Sequence, residues 1–279
     1  MSDPLTVVAC CGLPPSPAEI WTRWHLDPVV VSLLFVWLAV YVVGARMLRH
    51  KERPLTRREI VFFCAGWTIA ALALVSPLGP LSVSLFSARA TQNVILTLIA
   101  APLVVAGRTL DAAVAACLIE YSGRTWPQRI PAHPLRAAAA FAVLLWLWQS
   151  PVAYAATFSS TLLYWTMQVT LFASACWLWS TLLRRESTLV VGLASIVSSV
   201  QIGLLGALIA LSPRPFYAPH FLTTDAWGLT PLQDQQLGGA ILWVPGSVLF
   251  LVVATIALGR CLSRGRSTAV RVTSQGTAH

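Results

Sequence analysis

The chain has 279 residues, 57% of them hydrophobic and only 10% charged, with a formal net charge of +9. Soluble domains carry about 25% charged residues, and one soluble core of this size could not bury so much apolar surface. Such hydrophobicity also excludes a disordered chain, and six scattered Cys exclude a secreted disulfide scaffold. What remains is an all-α polytopic membrane protein.

Residues 1–28 read as an extracytoplasmic N-terminal segment. Met1 to Glu19 has no basic n-region, and its one apolar stretch, Leu5 to Ala9, is too short for a cleavable signal. Cys10, Cys11 and His25 fall here. Thiolates and imidazole suit copper, so these three are the candidate metal ligands, although adjacent Cys are not the spaced pair of a strong site. Cys64, Cys117, Cys176 and Cys261 read as small buried hydrophobes.

A helix needs about 20 mostly apolar residues to cross the hydrocarbon. Stretches free of Asp, Glu, Lys and Arg place seven spans, at about 29–48, 60–76, 87–107, 136–155, 162–183, 188–211 and 236–259. Together, residues 29–259 form one transmembrane domain. The charge-free run from Ala137 to Leu183 is too long for one helix and is divided near Ser150–Pro151 and Ser159–Ser160. Asp111 to Tyr121 is apolar but too short to span. Residues 260–279 form a basic cytoplasmic tail. These runs are apolar on all sides, which excludes the strict alternation of a membrane barrel.

Basic residues set the orientation. All Lys and Arg except Arg23, Arg89 and Arg214 fall in the loops after spans 1, 3 and 5 or in the tail. The N-terminus is therefore expected outside and the C-terminus in the cytoplasm. The positive charge is matched to anionic membrane lipid. No basic stretch interleaved with aromatics suggests nucleic acid. No phosphate loop, metalloprotease helix or nucleophile elbow occurs, and no enzyme activity is expected.

Polar groups within spans need a reason. Arg89, Gln92 and Asn93 share one face of span 3 at helical spacing. Gln149 lies in span 4. Asp234, Gln235 and Gln236 open span 7. These clusters sit at similar depth, so Arg89, Gln92, Asn93, Gln149, Asp234 and Gln235 form a candidate polar site opening outward. An Arg89–Asp234 ion pair is expected there. Gly238, Gly239, Pro245 and Gly246 mark close helix packing and a kink in span 7.

The same residues carry a family resemblance. Asp234-Gln235-Gln236-Leu237-Gly238-Gly239, followed by Trp243-Val244-Pro245-Gly246, resembles the last-helix signature of the CtaG-type cytochrome c oxidase assembly factors associated with caa-type oxidases. Weaker matches follow in order: Trp24 with Asp27-Pro28, Ser76-Pro77-Leu78, Gln92, Ala101-Pro102-Leu103, Gly107-Arg108, Trp148, Pro151, Tyr154, Gln168 and Phe172. The resemblance covers roughly residues 24–260. It implies a bacterial inner-membrane protein that helps mature the copper-containing part of a terminal oxidase, with cytochrome c oxidase subunits as partners. Members usually carry intramembrane His where this chain has Arg89, Asn93 and Gln149, with Trp165 and Val169 at a further pair of positions. Arg has no lone pair, and carboxamides are poor copper donors. The expectation is therefore a scaffold or partner-binding factor. Its alternatives are a copper chaperone using Cys10, Cys11 and His25, and a small-molecule permease or channel.

Overall fold

Apolar sequence becomes helix because hydrocarbon offers backbone groups no partner outside the segment itself. The computed structural model describes residues 14–50, 53–117, 133–183 and 188–276, with side chains of the last helix described as far as Ser263. Every regular element among the described residues is helical.

Local chemistry sets the ends of these helices. α1 (Pro28–His50) begins where the Asp27 carboxylate accepts from the Val29 amide at 2.7 Å. α2 (Arg57–Val75) opens on a reciprocal box in which Thr56 and Glu59 each bond the other's backbone amide. It stops before Pro77, and a short helix, α3 (Leu78–Ser84), follows. α4 (Phe86–Val94) continues through a π-helical stretch, Ile95–Ala100, into α5 (Ala101–Ala106). The Trp179 indole N–H donates to the Thr97 carbonyl in that stretch at 2.9 Å. α6 (Thr109–Cys117) is short and lies against α1.

α7 (Pro134–Gln149) ends at Ser150, and α8 (Pro151–Ser159) leaves it at 69°. The expected continuous span over 136–155 is therefore bent. Pro151 cannot donate a backbone bond and drives Ser150 into extended geometry. α9 (Thr161–Leu182) starts on the Ser160 hydroxyl. α10 (Thr188–Ala210) and α11 (Pro231–Gly276) complete the set; α11 begins before residue 236 and runs beyond residue 259.

Among the described residues, five helical stretches are each long and apolar enough to cross a membrane: α1, α2, α4 through α5, α10, and α11 as far as Ser263. The bent α7–α8 pair qualifies jointly. α9, at 22 residues, has the length but carries Tyr, Trp, Thr and Gln that lower its hydropathy. Of the cysteines read as buried, Cys64 and Cys117 are exposed on the bundle surface.

The bundle has two distinct ends. At the upper end the His25 amide bonds the Val75 carbonyl, Thr223 bonds the Ser84 carbonyl, and Tyr217 bonds the Gln149 carbonyl. These contacts gather the N-terminal segment, the ends of α2, α3 and α7, and the loop before α11. At the lower end Tyr41 bonds the Gly107 carbonyl, and Arg108 pairs with Asp111 at 2.7 Å and Glu59 at 3.9 Å. The main core fills the space between α4, α7, α9, α10 and α11. α10 and α11 approach most closely. A Cβ on Gly239 would sit 2.5 Å from the Ala210 amide nitrogen, and one on Gly206 would sit 2.7 Å from the Trp243 nitrogen.

Candidate functional site

Arg89 lies on the second turn of α4 and is 1% exposed. Helical spacing puts Gln92 and Asn93 on its face of the helix. Its Nη1 donates to the Thr157 hydroxyl at 2.8 Å. The guanidinium carbon lies 4.1 Å from the Phe158 ring centroid, 4.9 Å from Tyr154 and 5.5 Å from Tyr164. Ring faces are electron-rich and attract a cation, so three aromatics stand where a carboxylate would be expected. Nε and Nη2 have no hydrogen-bond partner among the described residues. The α7–α8 bend creates this cage, because it turns Tyr154, Thr157 and Phe158 inward over α4.

Asp234 does not pair with Arg89. From the first turn of α11 its carboxylate accepts from the Phe86 amide at 2.6 Å, the Ser87 amide at 3.1 Å and the Ser87 hydroxyl. Those amides open α4 and have no partners within the helix. A carboxylate there also meets the positive end of the helix dipole. The expected ion pair is thus replaced by a cap delivered from the far end of the chain.

Gln235 belongs to the loop and not to the cage. Its Oε1 accepts from the Phe216 amide, and its Nε2 donates to the Arg214 and Ile209 carbonyls at 3.2 and 3.3 Å. Gln92 donates to the Ala73 carbonyl at 2.8 Å and accepts from Gln168 at 3.2 Å. Asn93 and Gln149 are buried beside this region, and Asn93 Oδ1 and Gln149 Nε2 have no hydrogen-bond partner among the described residues. Gly238 lies against the Phe86 ring and Gly239 against α10. Gly246 abuts Ile202, and Pro245 lies inside α11.

The loop before α11 roofs the cage. Tyr217 stacks on Phe86 with centroids 4.1 Å apart. Tyr154 Oη and His220 Nε2 are 2.7 Å apart. Burial, and then the Arg89 charge, push His220 down to about 3, against the opposing effect of the Ser84 and Val83 carbonyls. Burial, reinforced by Tyr154, raises Tyr217. The site is closed, not open to the outer surface as the sequence suggests: Arg89, Gln92, Asn93, Gln149, Asp234, Gln235 and His220 are all buried.

Sequence reading does not find the cage-forming roles of Tyr154, Thr157, Phe158 and Tyr164. The one available signal is the i, i+4 spacing of Tyr154 and Phe158 just after a helix-breaking proline. His25 is buried at the upper end, and burial lowers its pKa against the raising effect of Asp27. Cys10 and Cys11 lie outside the described residues.

Copper would need donors with free lone pairs. Arg89 has none, Asn93 and Gln149 offer weak amide donors, and His220 supplies one imidazole already engaged by Tyr154. Among the described residues, no three His, Cys, Asp or Glu side chains gather where they could hold a metal. The residues of the cage do not fit copper.

Apolar helices of spanning length, packed around a sealed polar cluster, define a helical integral membrane protein. A family model described as cytochrome c oxidase caa3 assembly factor (Caa3_CtaG) matches residues 39–264. The chain belongs to that family. Neither the curated proteins nor the solved structures include a match to it. The matched stretch takes in the whole cage and excludes Cys10, Cys11 and His25.

Proposed function

We propose that this protein assists assembly of cytochrome c oxidase in the bacterial plasma membrane as a non-catalytic, partner-binding scaffold. It crosses seven times, with α7–α8 and α9 as the fourth and fifth spans, the upper end outside and the C-terminus in the cytoplasm. The gathering of Arg53, Arg57, Arg58 and Arg108 toward the lower end supports that orientation. The observation that carries the scaffold reading is the Arg89 cage. A fixed cation held by aromatic rings fills the centre of the bundle's polar cluster, and its neighbours are not copper donors.

The test is complementation of a deletion strain, scored by cytochrome c oxidation per milligram of membrane protein. The wild-type chain and a Cys10→Ser/Cys11→Ser variant should both restore oxidase, and Arg89→Met should not. Copper in the purified chain is measured alongside. About one copper per chain, lost in the double Ser variant, would replace the scaffold by a chaperone. Normal oxidase in the deletion strain would end the assembly reading.

A further inference from the structure

α1 stands at the edge of the bundle, resting on α6 and α2. Trp37 bridges it to α9 by meeting Phe172 edge to face, with centroids 5.8 Å apart. Above that contact lies a groove of about 240 Å³, lined by Leu33, Leu74, Gln168 and Val169 among others. Leu33 is 57% and Val169 61% exposed, so the groove faces the hydrocarbon.

Apolar side chains facing lipid need no explanation. Gln168 does, because it is the one carboxamide, and the one side chain with a hydrogen-bond acceptor, among the residues lining the groove, where Trp37 and Trp165 add only indole N–H donors. Its Nε2 donates to Gln92 Oε1 and to Tyr164 Oη at 3.1 Å, while Oε1 takes part in no hydrogen bond among the described residues. If the amide is turned over, the leftover atom becomes a donor, and one end still goes unmet. An unmet polar atom away from water costs about 1–3 kcal/mol. A lipid acyl chain has neither donor nor acceptor to offer. A transmembrane helix does, because Ser, Thr, Asn and Gln side chains form hydrogen bonds between helices.

We infer that this groove seats one transmembrane helix of the oxidase subunit under assembly, with a hydroxyl or carboxamide side chain bonded to Gln168. The inference rests on the assembly reading above and names the surface through which it works. The seat also communicates with the cage: Gln168 bonds Gln92 and Tyr164, and the Tyr164 ring lies against Arg89. A partner helix therefore touches the buried cation through two hydrogen-bonded side chains without entering the bundle.

The test places the photo-cross-linker p-benzoylphenylalanine at Val169 in the native host. A second copy of the protein carries it at Val200, which is 56% exposed on α10. After irradiation of intact cells, adducts at Val169 should map to a transmembrane peptide of an oxidase subunit, about tenfold above those at Val200. Filling the groove with Val169→Trp should cut oxidase subunits co-purified in digitonin by about tenfold, with the melting temperature unchanged. Adducts at Val169 on phospholipid alone or on a second copy of this chain would overturn the inference. So would unchanged co-purification with Val169→Trp. Both results leave the assembly reading standing, provided the wild-type chain brings oxidase subunits with it. If the wild-type chain brings none, that reading falls and takes this inference with it.

Discussion

Asp234 on the last helix caps the helix that opens at Phe86, holding two backbone amides and the Ser87 hydroxyl in one carboxylate. Charge-assisted bonds of this kind are about twice as strong as neutral ones, and the amides are buried. Asp234→Leu should cost about 2–4 kcal/mol, and Asp234→Asn roughly half of that, because one amide oxygen still accepts. Thermal unfolding in mild detergent checks this. Equal melting temperatures for wild type and Asp234→Leu would show that the cap carries no stability.

Arg89 separates stability from function. A cation–π contact is worth about 0.5–2 kcal/mol, and burying a charge costs at least as much. Arg89→Met should therefore melt at or above the wild-type temperature while failing to support oxidase. Arg89→Ala opens a cavity and should cost about 2–4 kcal/mol. A large loss of stability in Arg89→Met would make the guanidinium a structural pin.

How much of this was legible in sequence follows from the range of each interaction. The shared face of Arg89, Gln92 and Asn93 is a local matter of helical spacing, so it reads directly. The glycines of α11 are likewise a local signal of close packing, and Gly239 lies against Ala210 of α10. That Asp234 would seek amides and not Arg89 does not read, because the choice depends on how α4 and α11 cross, some 150 residues apart in sequence. The cage does not read either. In a membrane sequence Tyr154, Phe158 and Tyr164 look like ordinary packing, and Pro151 marks a turn without giving the 69° that aims them inward.

Close packing of α10 on α11 makes a graded prediction. At Gly239 an added methyl meets backbone, which cannot rotate away, and Gly239→Ala should cost about 1–3 kcal/mol. At Gly259 nothing lies within 4 Å, so Gly259→Ala should be neutral or gain about 0.5 kcal/mol from helix propensity. Melting curves of the two variants decide it. Equal effects would mean the helices part easily.

Acid should loosen the roof of the cage. His220 is neutral when folded, with its pKa depressed to about 3 by burial and by Arg89. In the unfolded chain it takes a proton near 6.5. Between those values the unfolded state binds more protons, so this contribution is intact above about pH 6.5. Stability is lost by about 1.4 kcal/mol per unit as pH falls below that value. Melting temperatures at pH 7.5 and 5.0 should diverge for the wild type and diverge less in His220→Gln, in which buried His25 keeps its own lowered pKa. A pH response retained in full by His220→Gln would assign it to another group.

The loop that roofs the cage and the carboxylate that caps α4 both come from the C-terminal third of the chain. During synthesis Arg89 enters the membrane long before Tyr217, His220 or Asp234 exists. Until α11 is threaded, the first amides of α4 lack their acceptor and the guanidinium lies beneath an open ceiling. The polar centre thus cannot be completed until the start of α11 is in place. A chain stalled or clipped before residue 234 lacks both the carboxylate that caps α4 and the helix that packs against α10.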